Sequence, residues 1–317
     1  MKIVIVTPAP PGSRKGNRIS ALRWARLLRE LGHHVAIQQE YQGEKCDVLI
    51  ALHARRSAAA VQQFREAFPH RSVILMLTGT DLYRDIHTDA TAKQSLELAS
   101  RLVVLQPLGI EELPPRLRSK TRVVYQSVST PRNSTASRVD DFEVCVMGHL
   151  RPVKDPFRTA LASRLLPHSS RLRVLHLGAA LSPDMGRRAR REMEVNRRYQ
   201  WLGDVPRGKA LRILSRCRLL VQTSLLEGGA NTISEAVVSS VPVISSEIPG
   251  SIGLLGKDYP GYYPVKDTHA LAEVLSRAET DQRFYASLRS WCRNLSPRFK
   301  PARERLALKR LLRELHP

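Results

Sequence analysis

Short apolar runs rich in β-branched residues recur along this chain, and most are followed by a stretch with helical spacing. Residues 2–6, 35–37, 48–52, 73–77, 102–105 and 123–125 read as strands. Between them, 19–31, 58–67 and 90–99 carry the periodicity of helices, the first stopping at Gly32, a natural helix terminator. Apolar strands alternating with helices require a parallel sheet covered on both faces. Residues 131–141, PRNSTASRVDD, are polar and aperiodic and read as a linker. The pattern then restarts, with strands at 144–147, 174–177, 219–221 and 241–244 and helices at 157–165, 187–195, 209–214 and 233–239. The expected fold class is therefore α/β, with two doubly wound sheets in succession. The domain bounds are 1–130, a linker at 131–141, 142–290, and a basic C-terminal helix at 291–317 packing back toward the first domain. In such folds ligands bind beyond the carboxyl ends of the strands.

A length of 317 residues suits two cores of this kind, and 42% hydrophobic content is that of a globular chain. No apolar run reaches the roughly 18–20 residues of a membrane span. The start, MKIVIVTPAPPG, lacks a signal-peptide pattern, so a cytoplasmic location is expected. Cys46, Cys145, Cys217 and Cys292 are scattered without metal-ligand spacing and read as buried free thiols. The net charge of +22 points to anionic substrates or a polyanionic partner. Many of the arginines fall in 187–191 and 298–313, which read as solvated helix faces. With 5% aromatics and no interleaved stacking motif, nucleic acid is not the expected partner. The basic tail leaves weak peripheral contact with anionic lipid open.

The stretch LLEGGANTISEA, 225–236, follows one apolar run and opens a helical one. Strand, glycine turn and helix start present unpaired N–H groups and the positive end of a helix dipole to one spot. Glu227 and Glu235 flank that spot and can accept hydrogen bonds from sugar hydroxyls. Together these features describe a pocket for a sugar joined to a diphosphate.

The second half resembles the donor domain of GT-B glycosyltransferases, in particular family 4. The resemblance lies in Gly148-His149-Leu150-Arg151 with Lys154, then Trp201-Leu202-Gly203-Asp204-Val205-Pro206, Glu227-Gly228-Gly229 with Glu235, and Val241-Pro242-Val243-Ile244. It implies two Rossmann-like domains whose parallel sheets face across a cleft. It also implies a UDP-sugar donor and no metal or other cofactor, and no DxD-type acidic motif adjoins the site. By resemblance, Lys154 neutralises departing UDP, Glu227 binds the donor sugar and Glu235 binds the ribose. His149 and Arg151 flank the phosphates, with His149 either a donor to phosphate or a packed loop residue. Gly228, Gly229, Ala230 and Asn231 offer backbone N–H groups. The uracil lies against Gly203, Asp204 and Val205. Two positions depart from the family: His149 stands where arginine is usual, and Ser240 stands where glycine is usual.

The first half is similar to the selenosugar synthases of selenoneine biosynthesis. The similarity lies in Gly16-Asn17-Arg18, Leu22-Arg23-Trp24-Ala25, Ala51-Leu52-His53-Ala54-Arg55-Arg56-Ser57, the run from Leu77-Thr78-Gly79-Thr80-Asp81 to Asp85, Leu105-Gln106-Pro107, and His149-Leu150-Arg151-Pro152-Val153-Lys154-Asp155-Pro156. That resemblance implies transfer of a sugar, N-acetylglucosamine or glucose, from its UDP carrier to selenophosphate, and a functional link to a selenophosphate synthetase. Three loops at expected strand ends carry small-anion chemistry. The first holds Arg14, Lys15 and Arg18 beside glycines, the second His53 and Arg56, and the third Thr78, Thr80 and Asp81. Gly16, Asn17, Arg18, His53, Arg56, Thr78, Thr80 and Asp81 are the candidate acceptor residues. Lys154, Glu227 and His53 are the candidate catalytic ones. An anionic selenium nucleophile needs no dedicated base, and His53 or Asp81 is the candidate to assist later loss of phosphate. Two alternatives stay open: a conventional family 4 enzyme with a sugar, thiol or lipid acceptor, and a non-catalytic polyanion-binding protein.

Overall fold

The computed structural model describes residues 1–13, 16–129 and 141–315. The expected linker lies outside these residues except for Asp141, as do Arg14 and Lys15.

β1 (Lys2–Val6), β2 (His34–Gln38), β3 (Val48–Leu52), β4 (Ser72–Met76), β5 (Arg101–Val104) and β6 (Thr121–Val123) form one parallel sheet in the order β2-β1-β3-β4-β5-β6. Every residue of β3 is buried, as coverage of both faces demands of an inner parallel strand, whereas the edge strand β2 has no fully buried residue. The strand alternation sorts side chains onto two cores. Val4, Leu49 and Ala51 join Val61 and Phe64 of the helix Ala58–Ala67 and Leu96 of the helix Ala90–Leu98. Ile3, Ile5, Val48 and Ile50 join Trp24, Leu27 and Leu28 of the helix Gly16–Glu30 on the other face. Gly32, at φ 85°, turns the chain out of that helix in a conformation only glycine adopts without strain.

The last helix, Pro301–Arg313, belongs to this first unit, and its Leu308, Leu311 and Leu312 complete the second of the two cores. Its Glu304 is buried and accepts hydrogen bonds from Arg23 Nε at 3.2 Å, Trp24 Nε1 at 2.9 Å and the Ser127 backbone N–H at 2.7 Å. The segment expected as a single helix, 291–317, instead holds the end of the helix Gln282–Leu295, a short turn at Ser296–Phe299, and the helix Pro301–Arg313. Proline has no N–H with which to continue a helix, so Pro301 starts a new one.

The second sheet is built from β7 (Phe142–Met147), β8 (Leu172–Leu177), β9 (Tyr199–Trp201), β10 (Leu219–Gln222), β11 (Val243–Ser246) and β12 (Tyr262–Tyr263), in the order β12-β11-β10-β7-β8-β9. The chain winds outward in one direction from β7 and in the other from β10. These two strands therefore border the topological switch point where doubly wound sheets hold ligands. The switch in the first sheet lies between β1 and β3. Helices Arg158–Arg164, Pro183–Val195, Arg207–Leu214, Asn231–Val238, Pro249–Leu255, Thr268–Thr280 and Gln282–Leu295 accompany the second sheet. Arg187, Arg188, Arg190 and Arg191 are exposed on Pro183–Val195, and Arg188 lies 4.3 Å over the Phe157 ring. By contacts, the second unit comprises Val128–Leu226 and Ala230–Phe299, while Glu227–Gly229 groups with the first. The four cysteines are free and buried. No helix among the described residues is long and apolar enough to cross a membrane.

Candidate active site

In the second unit the strand ends at and beside the switch are stitched into one surface. Gly148 donates to the Leu177 carbonyl at 2.8 Å, and Gly178 donates to the Gly203 carbonyl at 2.8 Å, so three glycines line the ends of β7, β8 and β9. A Cβ on Gly178, at φ 154°, would lie 2.0 Å from the Gly148 carbonyl oxygen, which only glycine avoids. Beneath this floor, His176 is wholly buried, with Nε2 3.2 Å from the Gly148 carbonyl and Nδ1 3.0 Å from the Tyr199 hydroxyl. A carbonyl can only accept, so Nε2 carries the proton and Nδ1 accepts from Tyr199.

Burial lowers the His176 pKa to about 4, keeping the ring neutral. The unfolded chain, with its pKa near 6.5, binds a proton that the folded one refuses. This stabilisation is complete above pH 6.5 and is lost as the pH falls toward 4. The expected loss is about 2 kcal/mol between pH 6.5 and pH 5. Urea midpoints at the two pH values would show it, and His176→Gln should flatten the slope. An unchanged slope in the variant would place the acid sensitivity elsewhere.

The loop after β7 carries the expected diphosphate residues. His149 is half-buried and its Nδ1 accepts from the Ala179 N–H at 3.1 Å, so this nitrogen serves the loop and Nε2 carries the proton of the neutral ring. Arg151 is exposed. Lys154 is half-buried at the end of a single 3-10 turn, Pro152–Lys154, after which Asp155 adopts φ 41° and holds Arg158 at 2.8 Å. Across the switch, Thr223 Oγ1 donates to the carbonyls of Lys154 at 2.8 Å and Asp155 at 3.0 Å, and Leu225 N–H donates to Val153 at 2.9 Å. The backbone of the lysine loop is thus fixed to the loop leaving β10.

The helix Asn231–Val238 then begins with Ala230 as an N-cap that makes no side-chain bond and with no acidic residue in its first turn. That leaves the positive end of its dipole available for an anion. Glu235 lies on this helix, and its side chain is 4% exposed. Its Oε1 is 2.6 Å from Nη2 of Arg207, a residue that the sequence pattern gave no reason to select. Gly203 takes φ 68°, Asp204 is exposed and Val205 is half-buried at the turn leading to Arg207.

In the first unit, the candidate acceptor residues stand at the ends of β1, β3 and β4. Gly16, Asn17 and Arg18 form the first turn of Gly16–Glu30, which holds no acidic residue, and Arg18 Nε is buried without a hydrogen-bond partner. His53 is buried at φ 79°, a left-handed conformation rare for a side-chain-bearing residue and a mark of local strain. Its Nδ1 accepts from the Arg56 N–H at 3.3 Å, and its Nε2 lies 3.3 Å from Thr80 Oγ1 and 3.9 Å from Asp85 Oδ2. Burial lowers its pKa. Asp81 is fully buried and accepts from the backbone N–H groups of Ala54, Thr78 and Gly79 at 2.8–3.0 Å, binding the β3 and β4 loops to each other. Arg56 is exposed and Thr78 half-buried.

The segment Glu227–Gly229 packs into this unit. A Cβ on Gly228 would lie 2.7 Å from the Thr78 carbonyl, and one on Gly229 would lie 2.5 Å from Leu105 Cβ. Both glycines are therefore demanded by neighbouring protein atoms. Glu227 is half-buried. Burial raises the Tyr83 hydroxyl pKa, with the carboxylates of Glu112 and Glu227 adding to the effect, and this hydroxyl accepts from Gln106 Nε2 at 2.9 Å. Among the described residues, no three His, Cys, Asp or Glu side chains are grouped to hold a metal ion.

Two doubly wound parallel sheets with these strand-end loops define a GT-B fold. The structure is similar to that of HepE from Anabaena, solved in complex with UDP and glucose, with a TM-score of 0.78 at 17% identity over 99% of this chain and 100% of that one. It is equally similar to sucrose-phosphate synthase from Thermosynechococcus elongatus, with a TM-score of 0.79 at 16% identity over 99% and 98%. A glycosyltransferase from Rickettsia africae gives a TM-score of 0.72 at 14% identity over 99% and 98%. The sequence is more specific than these distant likenesses: the family model of glycosyl transferases group 1 matches residues 128–294, more than half of the chain. The protein belongs to that family.

Proposed function

We propose that this chain transfers the sugar of a UDP-sugar to selenophosphate, forming a carbon–selenium bond. The donor half of the reading rests on one observation above all. The loops Pro152–Lys154 and 223–225 are tied together at the switch point of the second sheet, beside an uncapped helix start and a buried Glu235. That combination supplies a cation and N–H donors for a diphosphate and a carboxylate for hydroxyls. UDP in the Anabaena HepE complexes supports the same nucleotide.

The acceptor half is supported by the resemblance of the first unit to selenosugar synthases. It is also supported by the grouping of Arg18, His53, Arg56, Thr78 and Thr80 at neighbouring strand ends with no acidic residue in the first helical turn. Selenium would attack C1 as the bond from C1 to the UDP oxygen breaks, UDP leaving with the electron pair. Water would then cleave the selenium–phosphorus bond, releasing phosphate and the 1-selenosugar. The enzyme's part is to position two anions and to stabilise the departing diphosphate.

The test is incubation with UDP-N-acetylglucosamine or UDP-glucose and selenophosphate under anaerobic reducing conditions. Mass spectrometry then looks for a sugar bearing the selenium isotope pattern, with phosphate, thiophosphate and simple sugars as competing acceptors. The expected product is the selenosugar, lost in Glu227→Ala. Turnover with another acceptor alone would retain the glycosyltransferase and discard selenium. Absence of turnover with every donor would favour a polyanion-binding protein.

A further inference from the structure

The least expected residue in the second unit is Arg207. It occupies the first position of the helix Arg207–Leu214, after an N-cap, Pro206, that contributes no side-chain bond, in a first turn holding no acidic residue. The start of a helix carries the positive end of its dipole and favours carboxylates, so a guanidinium there opposes the local field. A residue that violates a local rule is usually kept for a compensating interaction. Here that interaction is with Glu235, 2.6 Å away, on the helix Asn231–Val238. The two ends of the pair differ: the Glu235 side chain is 4% exposed and that of Arg207 is 37% exposed. The cation therefore stands on the solvent side of a buried carboxylate. It is delivered there by the turn through the left-handed Gly203 that follows β9.

We propose that Arg207 is a positioning residue that fixes the Glu235 carboxylate as a selective acceptor for the vicinal hydroxyls of a ribonucleotide. The proposal rests on the donor reading above and adds to it the residue that enforces ribose over deoxyribose. An ionised carboxylate only accepts hydrogen bonds, and two vicinal hydroxyls are two donors. Selectivity between ribose and deoxyribose then depends on where the carboxylate oxygens are held. A planar, directional guanidinium fixes them better than an ammonium would. Arg207 acts through Glu235 and takes no part in bond breaking.

The experiment is calorimetric titration of the full chain with UDP and with 2′-deoxy-UDP, using wild type, Arg207→Gln, Arg207→Lys, Glu235→Gln and the double variant Arg207→Gln/Glu235→Gln. Wild type should prefer UDP by about tenfold or more, the range of a hydrogen bond to a charged group. In Arg207→Gln the UDP affinity should fall toward that of 2′-deoxy-UDP, whose own affinity stays within about threefold, and the double variant should be no weaker than Glu235→Gln. Arg207→Lys should keep part of the preference, and it carries the test if removal of the charge prevents folding. An equal loss for both nucleotides in the lysine variant, or an unchanged preference in either, would overturn the proposal. Failure of the wild-type protein to bind either nucleotide would instead remove the donor reading, and this inference with it.

Discussion

Lys154→Ala should lower kcat by about 10²–10³-fold, the usual cost of removing one preorganised group that stabilises charge developing on a leaving group. The substitution spares the backbone ties of the loop. The loop is held by the Lys154 and Val153 carbonyls, which accept from Thr223 and Leu225, so truncating the side chain leaves those ties in place. The melting temperature should therefore stay close to that of wild type while turnover collapses. On the proposed reading, in which the cation stabilises charge on the departing diphosphate, the loss should fall on kcat more than on the KM for donor. Steady-state kinetics with donor varied at saturating acceptor separates the two. Activity within threefold of wild type would show that this loop does not meet the diphosphate.

The largest effect on stability is expected from Glu304→Ala. The carboxylate is buried against Arg23 Nε, the Trp24 indole N–H and the Ser127 backbone N–H. Removing it strands a buried guanidinium and two donors at once. Breaking one partner of a buried ion pair costs about 3–5 kcal/mol, larger than the worth of the intact pair relative to an apolar substitute. The first unit should melt roughly 10 °C earlier by scanning calorimetry. Arg305→Ala, one residue on, removes only an exposed contact with Glu30 at 3.4 Å and should change stability by less than about 0.5 kcal/mol. Equal melting of the two variants would mean that the Glu304 cluster holds nothing together.

Much of the fold could be read from the sequence because parallel strands buried on both faces leave unbroken apolar runs. Residues 2–6 and 48–52 coincide with β1 and β3. β9 and β12 escaped the same reading because three and two residues, Tyr199–Trp201 and Tyr262–Tyr263, are too short to show any pattern. The strand expected at 241–244 begins two residues later: Pro242 has no N–H to donate, and Ser240 and Val241 still close the preceding helix. Ser240 also accounts for the glycine usual at its position, since its φ is 59°.

The site was legible where a motif fixes backbone, as at Gly203 and Gly228-Gly229. It was illegible where a side chain meets a partner far along the chain. Nothing near Arg207 announces Glu235, and nothing near His176 announces Gly148. The signal for His176 was present only as a polar residue inside a strand that is followed by Gly178, a cue that becomes informative once the neighbouring strand is known. Asp81 could be read as a loop carboxylate, but not its contact with the Ala54 N–H, 27 residues away in the chain.

The helix Pro301–Arg313 also sets an order of events during synthesis. The sheet of the first unit is complete at β6, yet its second core lacks Leu308, Leu311 and Leu312, and Arg23 and Trp24 lack their buried carboxylate, until residues 304–312 are made. At a translation rate of about 5–20 residues per second, the intervening second unit takes roughly 10–30 s to appear. For that interval the nascent amino-terminal half presents an open apolar groove along the helix Gly16–Glu30, with a cation at its rim. A ribosome stalled short of residue 300 would therefore hold a chain whose first half is already paired strand to strand but still a client for chaperones. The unit whose strands are made before the second unit is thus completed by a helix made after it.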